Sequence, residues 1–193
     1  MRRPPLQLLL FAFWLTTTAS SFADALKPHE VRDLHYGEVL FHFYQEDYFT
    51  AITHVMVAQE QERLEHHRAE SELLLGGLQL SYGMLDQAES QFNRLLNQET
   101  DAELHDRIWY YLTKVAYQRG RYQKAFSTLQ EIDEPRDKVI RAELAVLGAN
   151  VRMALGRDYE AAETLKKTKA PDGWEEYLRI NRGIALLRAG KIE

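Results

Sequence analysis

Between residues 100 and 135 the apolar side chains fall on two helical stripes separated by one glycine. Ile108, Leu112, Val115 and Ala116 recur at i, i+4, i+7 and i+8, which predicts one face of an α-helix. Gly120 can end that helix at low steric cost. Tyr122, Ala125, Phe126, Leu129 and Ile132 make a second stripe, and Pro135 cannot continue it. The segment therefore reads as a helix hairpin. A small Ala three residues into the second helix lets the two backbones approach, and the Tyr before it fills the wedge at the turn.

The same text recurs along the chain. Tyr48, Leu85, Tyr122 and Tyr159 are each 37 residues apart, as are Ala51, Ala88, Ala125 and Ala162. Gly83 and Gly120 stand just upstream, with Glu46 in the matching slot of the first unit. The fourth unit is irregular. Leu147-Gly148 fits a first helix, but Tyr159 and Ala162 then require about two extra turn residues, and Lys166 sits where an apolar residue is expected. A fifth unit has Gly183 and Gly190, with Ile180, Ile184 and Leu187 on one stripe, and reads as half of a hairpin that continues past Glu193.

These units resemble the tetratricopeptide repeat family. The third supplies Trp109, Leu112, Gly120, Tyr122, Ala125, Leu129 and Pro135 of that pattern, and the second Leu75, Gly76, Gly83, Leu85, Ala88 and Phe92. The first supplies Tyr48, Ala51, Val55 and Ala58 without the glycines. The resemblance spans roughly residues 32–193. It implies an all-α, right-handed superhelical array, an α-solenoid of about four and a half repeats. Sel1-type repeats are set aside for want of their extra Gly-rich turn and Ala-Leu-Gly signature. Pentatricopeptide repeats need a basic groove to follow RNA phosphates.

In this family the first helix of each hairpin lines a concave groove that holds an extended peptide or a helix. By phase the groove residues are Tyr36, Leu40, Phe43 and Tyr44, then Leu73, Gly77 and Leu80, then Tyr110, Lys114, Tyr117 and Gln118. The members that clamp a chaperone tail carry Lys and Asn here, whereas Tyr36 and Leu40 stand in their place. An apolar or aromatic partner segment is expected instead, because Tyr offers large contact area at modest entropy cost.

The first 23 residues stand apart. Arg2-Arg3, the ten-residue apolar run Leu6–Leu15 and Ser21-Phe22-Ala23 have the layout of a secretory signal peptide cleaved after Ala23. The apolar run is half of the roughly 20 residues a membrane span needs. Residues 24–193 would then form the repeat domain, exported, and periplasmic in a Gram-negative cell. That mature chain has 22 basic against 29 acidic residues, about −7, and has no general attraction to nucleic acid or anionic lipid. With no cysteine it can hold no disulfide, thiolate nucleophile or Cys-based zinc site.

Candidate chemistry is sparse. Of seven histidines, His35 and His42 are seven apart and could share a face, but a zinc site wants i, i+4 spacing plus a carboxylate, so no metal and no cofactor is expected. The charged stretch 59–72, which contains His66-His67, reads as a solvated helix with i, i+4 ion pairs. No phosphate loop, nucleophile elbow or acid pair appears. The sequence therefore points to a non-enzymatic scaffold or adaptor of the cell envelope. The alternative is an accessory module for a glycan or peptidoglycan strand, although the Asp, Asn and Arg partners for sugar hydroxyls are not evident beside the tyrosines.

Overall fold

A computed structural model describes residues 31–98, 101–133 and 138–191. The expected leader over residues 1–23, Pro135 and residues 192–193 lie outside the described residues. Residues Arg32–Glu193 form one structural unit. Its described helices are α1 (Leu34–Tyr44), α2 (Tyr48–Glu60), α3 (Arg68–Ser81), α4 (Leu85–Gln98), α5 (Ala102–Gln118), α6 (Tyr122–Thr128), α7 (Lys138–Ala154), α8 (Asp158–Lys167) and α9 (Glu175–Arg188). A short 3-10 turn, Leu129–Glu131, extends α6. No strand occurs among the described residues. Antiparallel neighbours pair as α1/α2, α3/α4, α5/α6 and α7/α8, with α9 packed on α8 and α7. The all-α solenoid expected from the repeat is what forms.

One turn closes each of the five first helices. Glu46, Gly83, Gly120, Gly156 and Gly190 all take a left-handed backbone, with φ between 60° and 74°. In each case the next residue's N–H bonds the carbonyl five residues back: Asp47 to His42, Met84 to Gln79, Arg121 to Ala116, Arg157 to Arg152 and Lys191 to Leu186. The left-handed residue itself bonds three back, as in Glu46 to Phe43 and Gly83 to Leu80. This double clamp satisfies the last carbonyls of the first helix and fixes where the second begins.

These turns correct the phase of the fourth unit. The repeat there is 36 residues, not 37, because the turn residue is Gly156. The slots filled by Ala88 and Phe92, or by Ala125 and Leu129, are filled by Ala161 and Leu165. No extra turn residues are needed, and Lys166 is simply exposed. The fixed spacing lies within a hairpin, from turn to second helix, and the irregularity lies in the link before it.

Equivalent slots in the hairpins carry side chains of different size. Seven residues before the left-handed residue stand Val39, Gly76, Thr113 and Ala149, all buried. Nine after it stand Val55, Phe92, Leu129 and Leu165. A Cβ on Gly76 would lie 2.6 Å from the Phe92 ring, so the glycine makes room for the aromatic. In the third hairpin the Thr113 hydroxyl hydrogen-bonds Thr128 at 2.9 Å, and each also reaches a backbone carbonyl, so neither buried hydroxyl is left bare.

The charged stretch over residues 59–72 is not one helix. Glu62 turns left-handed at φ 54°, and a loop runs to α3. Asp33 anchors that loop, accepting hydrogen bonds from the His66 and His67 backbone N–H groups and pairing with His66 Nδ1 at 2.9 Å. His67 is buried, stacks on Tyr36 at 4.6 Å and accepts the Arg32 N–H. Of the expected i, i+4 pairs, Arg68–Glu72 forms, at 3.4 Å, and its carboxylate is buried.

Candidate partner-binding face

The first helices of adjacent hairpins touch, α3 with α5, α5 with α7 and α7 with α9, so they present one shared face. Electrostatics trace the same continuity. Besides burial, which pushes the Tyr36 hydroxyl above its ordinary value, that hydroxyl feels Glu70 on α3 and Arg107 on α5. Tyr110, also raised chiefly by burial, feels Glu143 on α7 and Tyr177 on α9. Both phenols therefore stay protonated and keep their donor character at any physiological pH.

The expected groove residues divide on this face. Tyr36, Phe43 and Leu73 are 4%, 7% and 3% exposed and serve as core, as do Leu80 and the backbone at Gly77. Tyr36 and Phe43 pack with Val39, Val55 and Leu75, while Leu73 packs with Phe92 and Ile108. The apolar phase assigned to the groove turns out to be the phase that meets the neighbouring helices. Gly77 faces the Tyr111 ring, 3.6 Å from where its Cβ would stand. Leu40 is half-buried against the first core cluster. Tyr117 is half-buried beside Ala116, Ala125 and Val151, with Tyr122 5.6 Å from its ring.

What remains open is more polar than expected. Tyr44 is half-exposed and Gln118 is exposed. Tyr110 is half-buried and donates from its hydroxyl to Glu143 Oε2 at 3.5 Å. The Lys114 ammonium lies over the Tyr110 ring at 5.2 Å and near the Tyr111 ring at 5.9 Å. Burial holds Lys114 below the ordinary lysine value, and Glu143 works in the opposite direction. A cation, a carboxylate and phenols that stay protonated can pair with peptide amides and polar side chains, while the rings contribute apolar area.

Solved structures share this arrangement of hairpins. The MamA RS-1 ArsTM double mutant superposes with a TM-score of 0.63 at 16% identity, over 81% of this chain and 83% of that one. YrrB, described as a TPR protein with an unusual peptide-binding site, superposes with a TM-score of 0.59 at 16% identity, over 91% of this chain and 87% of its own. This is the tetratricopeptide repeat fold. No family model and no curated protein matches the chain by sequence.

Within the TPR array, sequence reasoning missed Glu143 and Tyr111. Tyr111 lies parallel to the Phe92 ring at 5.0 Å and couples α5 to the second hairpin. Both occupy first helices, but Tyr111 lies one residue off the phase assigned to the groove, and Glu143 belongs to the fourth hairpin, to which no groove residue was assigned. Among the described residues no helix is long and apolar enough to cross a membrane.

Proposed function

We propose that this chain is a protein–protein interaction scaffold that holds an extended partner segment along the face of its first helices. The observation that carries the reading is the cluster of Tyr110, Lys114 and Glu143, with Tyr44 further along. This surface is aromatic and charged and is not wholly consumed by packing. The partner is a protein segment carrying aromatic or apolar anchors beside polar groups. The role is binding rather than catalysis, and the leader-like residues 1–23 support an exported, envelope setting, periplasmic in a Gram-negative cell.

The test is retention from an envelope extract on an immobilised chain spanning residues 24–193. A protein should be retained, and Tyr44→Ala/Tyr110→Ala should weaken it by about 1–2 kcal/mol per anchor with little change in the circular dichroism melt. Retention of polysaccharide alone would replace this reading with the glycan module. Full retention by a folded double variant would move the site off this face.

A further inference from the structure

Five of the seven histidines stand between residues 35 and 67, in and beside the first hairpin. His66 and His67 are absorbed in the Asp33 loop anchor. His42 and His54 take no part in that anchor and pair instead with Asp47 and Glu38. His42 follows Glu38 by four residues on α1, so the two share one helix face. The Gln45–Asp47 turn then folds α2 back alongside, which brings His54 to the same place. Donor atoms of Glu38, His42 and His54 all lie within 4.8 Å of one another.

We propose that Glu38, His42 and His54 form a binding site for a divalent transition-metal ion of the zinc class. Two donors at about 2.1 Å from a tetrahedral ion stand about 3.4 Å apart. His54 Nδ1 and Glu38 Oε1 are already at 3.4 Å. The His42 and His54 ring centroids are 4.8 Å apart, and rotation of these half-exposed side chains brings the third donor in. Outer carboxylate and imidazole groups complete the pattern, with Asp47 Oδ2 3.5 Å from His42 Nδ1 and His35 Nδ1 3.6 Å from Glu38 Oε2. Two imidazoles and one carboxylate suit zinc, nickel or copper, whereas calcium and magnesium want oxygen alone. The side chains are 24% to 49% exposed, so an ion can enter and keep a water in its fourth position. The site ties α1 to α2. A sequence search for paired histidines on one helix overlooks it because the second histidine comes from the other helix.

The untagged full chain, stripped with chelator, should bind one Zn2+ in calorimetric titration, and its melting temperature should rise in Zn2+ and fall back with EDTA. His42→Ala and His54→Ala should each weaken binding at least tenfold, while His105→Ala and His66→Ala leave it unchanged. Because the chain has no cysteine, His54→Cys provides a direct probe. Loaded with Co2+, that variant should show a thiolate-to-cobalt charge-transfer band that His105→Cys lacks. Absence of saturable Zn2+ binding by the parent, loss of binding through His66 rather than His42, or a folded His54→Cys variant without that band would each overturn the proposal.

Discussion

In the second hairpin Phe92 lies against a glycine, whereas in the first the same two slots hold Val55 and Val39. In the second the turn residue is Gly83 and in the first it is Glu46, yet both take the same left-handed backbone and the same pair of clamping bonds. The sixth position after the turn is Ile52 in one and Glu89 in the other. Ile52 belongs to the first apolar core. Glu89 gathers Arg119, Arg121 and Lys124 of the next hairpin, with Lys124 Nζ at 2.9 Å. One backbone plan thus accepts different fillings while the turn keeps its hand. The first hairpin distributes its bulk evenly, while the second concentrates it in one ring and joins its neighbour through charge.

The largest expected break is Phe92→Ala. It removes a fully buried ring from a slot whose opposite wall is a glycine and cannot fill the space, so about 3–5 kcal/mol should be lost in denaturant unfolding. Val55→Ala in the first hairpin should cost less, because fewer carbons leave the core. Next is Gly76→Val, which drives side-chain atoms into that ring and should cost about 1–3 kcal/mol. Combining it with Phe92→Val recreates the pair of the first hairpin. A double-mutant cycle should return part of the loss, with a favourable coupling on the order of 0.5–3 kcal/mol.

Charge at the junction gives a smaller, pH-dependent effect. The hydrogen bond from Lys124, then its charge and those of Arg121 and Arg119, hold the Glu89 carboxyl below its ordinary value of 4.5 against the opposing effect of burial. A carboxylate held low in the folded state stabilises above that ordinary value, and the benefit fades as pH falls through the folded one. Glu89→Gln should therefore cost about 1–2 kcal/mol at pH 7, with the gap from the parent closing under acid. Ile52, in the same slot of the first hairpin, carries no ionisable group, so Ile52→Val should show no such acid-dependent gap. Smallest is Glu46→Gly, which relieves a non-glycine left-handed residue and should add about 0.5–1 kcal/mol. The reverse change, Gly83→Glu, should cost a similar amount through backbone strain alone, since a Cβ there meets nothing within 4 Å.

The solenoid was legible because its cause is periodic. Ala51, Ala88 and Ala125 recur with a turn residue at fixed distance, and no distant contact is needed to read them. The fourth hairpin misled because a fixed 37-residue ruler landed on Ala162, and the adjacent Ala161 looks identical in composition. Only backbone hand at Gly156 separates the two. The proposed partner-binding face was harder. Tyr36, Phe43 and Leu73 are large and apolar on first helices, and helix phase alone does not say whether such a residue meets a partner or the next helix. The face also depends on Tyr110 meeting Glu143 across a hairpin boundary, 33 residues away.

The five identical turns set a rule for where the chain can grow. The link from α6 to α7 already absorbs a one-residue shortening while the flanking hairpins keep their slots. An inserted residue there would only lengthen a connection. The same residue added between Gly120 and Tyr122 would rotate α6 by about 100° and swing Ala125 out of its close approach to α5. Indels should therefore be tolerated between hairpins and rejected within them, so the hairpin, bounded by its own punctuation, is the piece that can be copied, trimmed or exchanged without disturbing its neighbours' internal register.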